Sequence, residues 1–488
     1  MERLNAWNTY DLAMRDACMA FADDYMNFLN AGKTERECVD FFVAEAEKNG
    51  YIELGRAIAE GRKLQAGDCV YSVWMNKSMV LFRIGDRPFE EGMNILGAHI
   101  DSPRLDVKQN PLYEDGGIGY LDTHYYGGIK KYQYVTLPLA IHGVVVKKSG
   151  ETVLVNIGEE DDDPVFFISD LLPHLAQDQM KKNALTFIEG EALDLIIGSM
   201  PLVIDADTKP VKKGEKAAEN GDKDEKKGAA KDSVTKALLK ILKEEYGIEE
   251  EDFISAELEI VPAGKARDAG FDRSMVLAYG QDDRVCAYPS FRAQMEAADI
   301  ARTSCTLLVD KEEIGSVGAT GMQSRFFENA LAEVMELCGQ YSELAMRRAL
   351  ANSAMLSSDV SAAFDPSYAA AFEKKNACML GGGMVFNKFT GSRGKSGSND
   401  ANAEYLGALR EVMDGAQVLY QTAELGRVDL GGGGTIAYIL ALYGMNVIDS
   451  GVAVLSMHAP WEATSKADIY EAYRGYLAFL RGMKMRNM

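Results

Sequence analysis

The sequence is poor in histidine and in positive charge. Its 488 residues include only five histidines, and 52 lysines and arginines face 74 aspartates and glutamates, so the formal net charge is −22. This negative charge repels phosphate backbones and anionic lipid surfaces, so we expect neither nucleic acid nor a membrane as the main partner. Any histidine chemistry must draw on a short set, namely His99, His124, His142, His174 and His458.

Paired cysteines and long apolar runs are also missing. The seven cysteines include no Cys-x-x-Cys pair, and their odd number in so long a chain favours reduced thiols over a disulfide framework. The opening residues, MERLNAWNTYDLAMRD, carry charges every few positions and do not resemble a signal peptide. No stretch approaches the ~18 uninterrupted apolar residues of a transmembrane helix. We therefore expect a cytoplasmic protein.

Hydrophobic periodicity divides the chain into three segments. Residues 1–105 and 265–488 alternate strand-like and helix-like runs, which is typical of an α/β domain with a mixed sheet flanked by helices. Residues 106–264 are rich in strand-like runs and poor in helical pattern, so we predict a β-rich insertion into that domain. Its stretch 209–232 consists almost wholly of charged residues, glycine and alanine. It offers little apolar surface to bury, so it is predicted to be a mobile loop.

Single runs make more specific predictions. Residues 71–84 are rich in Val, Phe and Ser and predict a strand, and residues 132–146 form a second β-rich run. Residues 324–352 predict helix from their apolar spacing.

Five short segments place acidic residues or histidine directly after apolar runs. They read GAHID at 97–101, GQDDR at 280–284, DKEEIG at 310–315, LSSD at 356–359 and LSMH at 455–458. In open α/β sheets, ligands bind beyond the carboxyl ends of the strands, where residues distant in sequence converge. A lone histidine after a strand is more often structural than a ligand, but the combination supplies two histidines and several carboxylates. The sequence therefore predicts a metal site.

The spacing within the segments suggests individual roles. Residues two apart on a strand face the same side, so Asp101 can accept the second imidazole N–H of His99 and fix its tautomer. Glu312 and Glu313 are adjacent, so their side chains diverge: one can bind a metal while the other takes a proton from metal-activated water. A carboxylate such as Asp282 can bridge two ions. Mixed histidine and carboxylate ligands suit Zn²⁺, with Mn²⁺ or Co²⁺ as substitutes.

In this order and spacing, the segments resemble the M18 family of metallo-aminopeptidases, which includes aspartyl aminopeptidase and vacuolar aminopeptidase I. The likeness runs over nearly the whole chain. The matching stretches are ILGAHIDSPRLDVK at 95–108, DDR at 282–284, DKEEIGS at 310–316, SSDVSAAFDP at 357–366 and LSMHAPWE at 455–462.

The resemblance implies an enzyme that hydrolyses N-terminal residues from peptides at a dinuclear zinc site, with two ions per subunit. Asp282 would bridge the ions, with Asp283 as the alternative. Glu312 would be the general base and Asp101 the partner of His99. The implied metal ligands are His99, Asp282, Glu313, Asp359 and His458.

The resemblance also implies an assembly. The β-rich insertion would be the family's dimerisation domain, and family members form dodecameric shells, so a homo-oligomer, by resemblance a dodecamer, is expected. The sequence departs from many members at PHLAQD, residues 173–178, where Asp178 replaces a histidine that reaches a neighbouring subunit's active site. His174 lies close to this position in sequence. The chain therefore resembles a divergent, bacterial-type branch.

Two further positions are candidates for substrate binding. In members specific for acidic residues, a lysine helps to bind the substrate carboxylate, and Lys395 in GSRGKSGSND is the nearest equivalent. Gly434 closes the GGGG run at 431–434, whose exposed N–H groups can hold a substrate carbonyl or carboxylate; a tight turn for close packing is an equally good interpretation. The departures from the family leave the preference for acidic residues open.

Two other functions fit parts of the pattern. The same metal chemistry would serve another dinuclear zinc amidohydrolase, such as a deacylase or a carboxypeptidase-like enzyme. A non-catalytic assembly protein that kept only the shell is a third hypothesis, which the intact ligand at every motif position disfavours.

Overall fold

The computed structural model describes residues 4–202 and 233–484. The chain forms two compact units, the first drawn from Met1–Pro103 and Lys265–Met488 and the second from Arg104–Gly264. The first junction thus falls after Pro103, whereas the sequence pattern placed it after residue 105. The predicted mobile loop, residues 209–232, lies outside the described residues.

The first stretch of the chain forms small helices, two longer ones and the first strands. Helix α3 begins at a capping box, because Thr34 accepts a hydrogen bond from the Glu37 N–H while the Glu37 carboxylate accepts one from the Thr34 N–H. Residues 71–84, predicted to be one strand, instead form a hairpin, since Met75 and Asn76 adopt positive φ and turn the chain. The elements are α1 (Ala6–Thr9), α2 (Leu12–Ala31), α3 (Glu35–Lys48), β1 (Ile52–Glu53), α4 (Leu54–Ala59), β2 (Cys69–Trp74), β3 (Ser78–Arg83) and β4 (Asn94–His99).

The second unit is built on an antiparallel sheet. Its elements are β5 (Arg104–Asp115), β6 (Ile118–Tyr126), β7 (Leu139–Val146), β8 (Thr152–Ile157), α5 (Ala184–Phe187), β9 (Leu195–Gly198), α6 (Ser233–Glu245) and β10 (Ala256–Pro262). The described strands pair in the order β8-β7-β10-β5-β6-β9. Strand β7 begins only at Leu139, so the first half of the predicted β-rich run at 132–146 is not strand.

Helix α6 was not predicted from the sequence. Its side chain Leu238 packs over paired strands at Gly119 and Gly198, where a Cβ atom would approach the leucine within 2.4 and 2.8 Å. The two glycines therefore make room for the helix to cover the sheet.

The last stretch returns to the first unit. The predicted helix at 324–352 is two helices, because α8 ends at Leu337 and the Ser342 side chain caps α9 by accepting from the Ala345 N–H. The elements are β11 (Arg267–Ala269), β12 (Met275–Ala278), α7 (Gln281–Glu296), β13 (Ser304–Val309), α8 (Phe326–Leu337), α9 (Glu343–Ala351), β14 (Ala354–Ser357), β15 (Ser361–Ala362), β16 (Met384–Asn387), α10 (Ala403–Gly415), β17 (Tyr420–Thr422), α11 (Ala437–Ala441), β18 (Asn446–Gly451), β19 (Ala453–Leu455), β20 (Glu462–Ser465) and α12 (Lys466–Gly482).

Two sheets organise the described part of this first unit. A mixed nine-stranded sheet runs in the order β1-β2-β3-β13-β4-β14-β18-β16-β17, and its central strands β13, β4, β14 and β18 are parallel. Successive residues of β4 enter different hydrophobic clusters, Ile95 one and Leu96 the other, so both faces are buried. A smaller sheet has the order β11-β12-β20-β19-β15. The fold is thus α/β with a mixed sheet flanked by helices.

Two findings concern membrane-spanning helices and the state of the cysteines. Nowhere in residues 4–202 or 233–484 is a helix long and apolar enough to cross a membrane. All seven cysteines are free thiols.

Candidate active site

Three of the predicted site segments follow neighbouring strands in the centre of the large sheet. His99 is the last residue of β4, and it lies opposite Val309, the last residue of the parallel strand β13. Glu312 and Glu313 follow β13, and Asp359 follows β14 on the other side of β4. The carboxyl ends of these parallel strands meet at one edge, which brings the acidic side chains to His99.

The other two segments come from the smaller sheet. Asp282 lies just after β12, where the first turn of α7 departs from helical backbone angles. His458 follows β19 and adopts a left-handed φ of 63°. The site therefore lies where the strand ends of two different sheets converge, an arrangement that the sequence pattern alone did not distinguish from a single sheet.

Asp282 lies between the two histidines. Its Oδ1 is 3.2 Å from Nε2 of His99, and its Oδ2 is 3.2 Å from Nε2 of His458. The Glu313 carboxylate lies 3.7 Å from the same nitrogen of His458. Each oxygen of one carboxylate thus faces a separate imidazole, so each oxygen is placed to bind a cation together with a histidine.

The position of the proton on the His99 ring shows what its contact with Asp282 requires. Nδ1 of His99 lies 2.9 Å from the Asp101 carbonyl oxygen and 3.3 Å from the Asp101 carboxylate, and both of these groups accept hydrogen bonds. Nδ1 therefore carries a proton, and in the neutral ring Nε2 presents a lone pair to the Asp282 carboxylate. A cation between these two electron-rich atoms, or a second proton on the ring, is needed to make that approach favourable.

The donor set fits divalent metal ions. Ligand atoms lie within 4.8 Å of one another in three overlapping groups: His99 with Asp282 and Glu313, His99 with Glu312 and Asp359, and Asp282 with Asp283 and Asp359. Oε1 of Glu313 is buried and accepts no hydrogen bond from the described residues. Buried carboxylates crowded around two imidazoles, one with a vacant acceptor oxygen, suit an ion that prefers nitrogen and oxygen ligands.

The electrostatics show an excess of buried negative charge. Burial raises the pKa of Glu312 to about 7 and raises the pKa values of Glu313 and Asp359 well above their ordinary range. Burial also lowers the pKa of His99, but hydrogen bonds to Asp101 and Asp282 outweigh it and raise that pKa. Without cations, the cluster relieves mutual repulsion by holding protons, and positive ions would replace those protons.

Asp101 also organises the glutamate pair. Its Oδ1 accepts the Glu312 N–H at 3.1 Å and its Oδ2 accepts the Glu313 N–H at 3.2 Å. The preceding Lys311 has a left-handed φ of 68°, and its N–H donates to the buried Asp310 carboxylate at 2.7 Å. The backbone of the pair is therefore fixed from both sides, and Asp101 contacts both His99 and the segment that carries the two glutamates.

Sequence reasoning missed Glu462, which is fully enclosed behind the site. Its Oε2 accepts the Asp282 N–H at 3.0 Å, and its Oε1 accepts the His458 N–H at 2.7 Å. Glu462 is the last residue of the stretch LSMHAPWE. In the sequence alone, a glutamate at this position looks like an ordinary polar residue of a strand. Only the contact between two segments far apart in sequence reveals that it positions both.

A cleft of about 510 Å³ opens beside these side chains. Its lining includes Asp282, Glu312, Glu313, Asp359 and His458. Its other walls include Asn387, Phe389, Lys395, Gly434 and Tyr438. Both predicted substrate-binding positions therefore reach the cleft that the predicted metal ligands line.

The glycine run beside the cleft serves close packing as well. Gly432 has a φ of 106°, and a Cβ atom there would lie 2.1 Å from the carbonyl oxygen of Gly391. Gly434 faces open space, since a Cβ atom added there would meet no described atom within 4 Å. The tight turn and the exposed backbone thus belong to different residues of the run.

Comparison with known proteins identifies the family of the chain. The family model of the aminopeptidase I zinc metalloproteases (M18) matches residues 28–480. A probable M18 family aminopeptidase 1 from Clostridium acetobutylicum is 58% identical over 479 residues, which are 98% of each chain. The crystal structure of an M18 aminopeptidase from Thermotoga maritima is 41% identical, with 99% of each chain covered and a TM-score of 0.89. The S. cerevisiae mApe1 dodecamer is 21% identical, with a TM-score of 0.71 over 94% of this chain and 95% of that one. The chain therefore belongs to the M18 family of zinc aminopeptidases.

Proposed function

We propose that this aminopeptidase holds two zinc ions per subunit and that Glu312 is its general base. The observation that carries the proposal is the position of Asp282, whose two oxygens face the imidazoles of His99 and His458 at 3.2 Å each. Asp282 is preferred to Asp283 as the bridging ligand for this reason. Mn²⁺ or Co²⁺ can substitute, because they accept the same nitrogen and oxygen donors.

Glu313 lies near His99 and Asp282 and also 3.7 Å from His458, and we assign it to the same ion as His458. His99 and Asp359 would hold one ion, His458 and Glu313 the other, and Asp282 would bridge both. Bound zinc supplies Lewis acidity, which lowers the pKa of water and polarises the scissile carbonyl.

Glu312 is placed to move protons. It lines the cleft, and its carboxylate lies close to His99 and Asp359. Its backbone N–H donates to the Asp101 carboxylate. Burial favours the protonated form of the Glu312 carboxyl, so beside the ions this group would be placed to take a proton from water and return it to the leaving amine. Asp101 is a positioning residue, since it fixes the tautomer of His99 and the backbone of the glutamate pair.

The substrate would be a peptide with a free N-terminus. Lys395 and Gly434, which both line the cleft, are the proposed substrate-binding residues, and Gly434 would act through its backbone N–H.

We also propose that the enzyme works in the cytoplasm as a homo-oligomer, a dodecamer in the manner of the yeast structure. The free cysteines suit a reducing compartment. The second unit exposes a run of apolar side chains that a second copy would cover. These are Leu171, Leu172, Leu175, Met180 and Leu185.

The test is release of N-terminal residues from short peptides after chelation and zinc replacement. Activity should vanish with the chelator and return with zinc, at two ions per subunit by metal analysis. N-acetylated peptides separate the runner-up, because another dinuclear zinc amidohydrolase would cleave them and an aminopeptidase would not. Saturation at one ion per subunit would contradict the dinuclear site.

A further inference from the structure

Lys395, which lines the cleft, forms an ion pair with Glu424 beside it. Nζ of Lys395 lies 2.7 Å from Oε2 of Glu424, and the two side chains are 33% and 32% exposed. The backbone of each partner makes a hydrogen bond that fixes its position. The carbonyl of Lys395 accepts the hydroxyl of Ser398 at 2.7 Å, and the N–H of Glu424 donates to the carbonyl of Asn376 at 2.7 Å.

The charge around the cleft makes this pair significant. Among the described residues that line the cleft, Lys395 is the single lysine or arginine, while four lining residues are acidic. Those acids surround the proposed zinc ions, which they would balance. The one permanent cation in this described lining is therefore already paired with a carboxylate.

The pairing changes what the cleft can attract. A carboxylate that approaches the Lys395 ammonium group also approaches the negative oxygens of Glu424, so attraction and repulsion largely cancel. It must also give up its own hydration and compete with an existing charge-assisted hydrogen bond. An uncharged side chain meets neither cost, and it can pack against Phe389, Leu425 and Tyr438 on the same walls.

We propose that Glu424 is a specificity-determining residue that, by holding Lys395 in an ion pair, directs the enzyme to uncharged N-terminal residues and against acidic ones. The inference rests on the proposed peptide cleavage in this cleft. Glu424 would thus act by disfavouring acidic substrates, and it lies outside the proposed metal ligands and outside the five motif segments.

The experiment compares leucyl- and glutamyl-p-nitroanilide with the zinc-loaded enzyme. Glu424→Gln keeps the size of the side chain and removes its charge. We expect the glutamyl-to-leucyl ratio of kcat/KM to rise about tenfold or more, since removing a like charge from a binding site relieves a large repulsion. The change should fall mainly on KM for the glutamyl substrate. Glutamate hydroxamate should likewise gain affinity as an inhibitor relative to leucine hydroxamate.

Three variants test the mechanism. Glu424→Asp keeps the charge and should keep the wild-type ratio. Lys395→Met combined with Glu424→Gln should lose the gain, because the freed ammonium group is what attracts the acidic side chain. Glu343→Gln removes the acid of an exposed ion pair with Arg347 outside the cleft lining and should change neither substrate.

Several outcomes would overturn the inference. A wild-type enzyme that prefers the glutamyl substrate, or a Glu424→Gln enzyme that keeps leucyl activity with an unchanged ratio, contradicts it. A gain that survives in the double variant also contradicts it, because Lys395 would then not be responsible. Failure of the zinc-loaded wild type to cleave any aminoacyl substrate would instead contradict the proposed function.

Discussion

Replacing Glu462 with glutamine tests whether backbone hydrogen bonds hold two of the proposed metal ligands in place. The Glu462 side chain is 1% exposed, and its two oxygens accept the N–H groups of Asp282 and His458 at 3.0 and 2.7 Å. Burial raises the pKa of Glu462 to about 8, while the two N–H donors and His458 lower it. A protonated carboxyl would turn its O–H against one donor, so the geometry requires the charged form, and bound cations would favour it further.

The size of the effect follows from these two hydrogen bonds. Glutamine offers one acceptor oxygen, so one N–H keeps a weaker, neutral bond and the other faces an NH₂ group. A buried N–H without an acceptor costs about 1–3 kcal/mol, and losing charge assistance on the other bond adds about 1 kcal/mol. We therefore expect Glu462→Gln to be destabilised by about 2–4 kcal/mol. Zinc affinity should fall about 10–100-fold, as for other groups that orient metal ligands.

The assay needs a control with the same chemistry away from the metal. Asp468 is also fully buried and also accepts two backbone N–H groups, from Gly381 at 2.8 Å and Gly383 at 2.7 Å. Burial raises its pKa to about 8 as well. Asp468→Asn should therefore lose comparable stability in denaturant unfolding but keep wild-type zinc affinity in chelator competition.

Two results would refute the reasoning. Unchanged zinc affinity in Glu462→Gln would mean that Asp282 and His458 reach their positions without this carboxylate. Equal losses of affinity in Glu462→Gln and Asp468→Asn would mean that zinc responds to general stability and not to the placement of two ligands.

Three further perturbations test the general base, the positioning of His99 and the assembly. Glu312→Gln should retain zinc by metal analysis while kcat falls about 10²–10⁴-fold, the usual contribution of a general base; full turnover with metal bound would exclude that role. Asp101→Asn should weaken zinc binding about tenfold or more in chelator competition, because it replaces the acceptor that faces His99 and the glutamate pair. Leu175→Asp and Leu185→Asp, at side chains 69% and 82% exposed, should shift sedimentation toward smaller species; unchanged assembly would place the interface elsewhere.

The sequence predicted which side chains come together at the cleft better than it predicted the sheets that carry them. Polar residues after apolar runs identified His99 and Asp359, because β4 and β14 are buried on both faces and read as continuous apolar stretches. The same pattern identified Asp282 and His458, but strand pairing depends on distant partners, so it could not show that they belong to a second sheet.

Helix α6 and the role of Glu462 were not predicted from the sequence, each for a physical reason. Helix α6 carries apolar residues at the helical spacing of Val234, Leu238 and Leu242. The helix directly follows the charged stretch 209–232, whose composition is typical of a loop. Glu462 belongs to a stretch that matches the family, but its role could not be predicted, because it accepts N–H groups from two segments. Backbone N–H groups are present at almost every residue, so sequence cannot say which of them a carboxylate will meet.

Contacts within the first unit explain how His99 and Asp282, two proposed metal ligands distant in sequence, are brought together on either side of the inserted second unit. The chain leaves the first unit after Pro103, just beyond His99 and Asp101, and returns at Lys265 before reaching Asp282. The two sides of this gap are joined directly. The Ser102 hydroxyl donates to the Asp282 carbonyl at 2.7 Å, and the Tyr279 hydroxyl donates to the Pro103 carbonyl at 3.1 Å. The positions of His99 and Asp282 are thus fixed by contacts within the first unit, and the length of the intervening chain adds little to the cost of bringing them together, since loop-closure entropy grows only slowly with length.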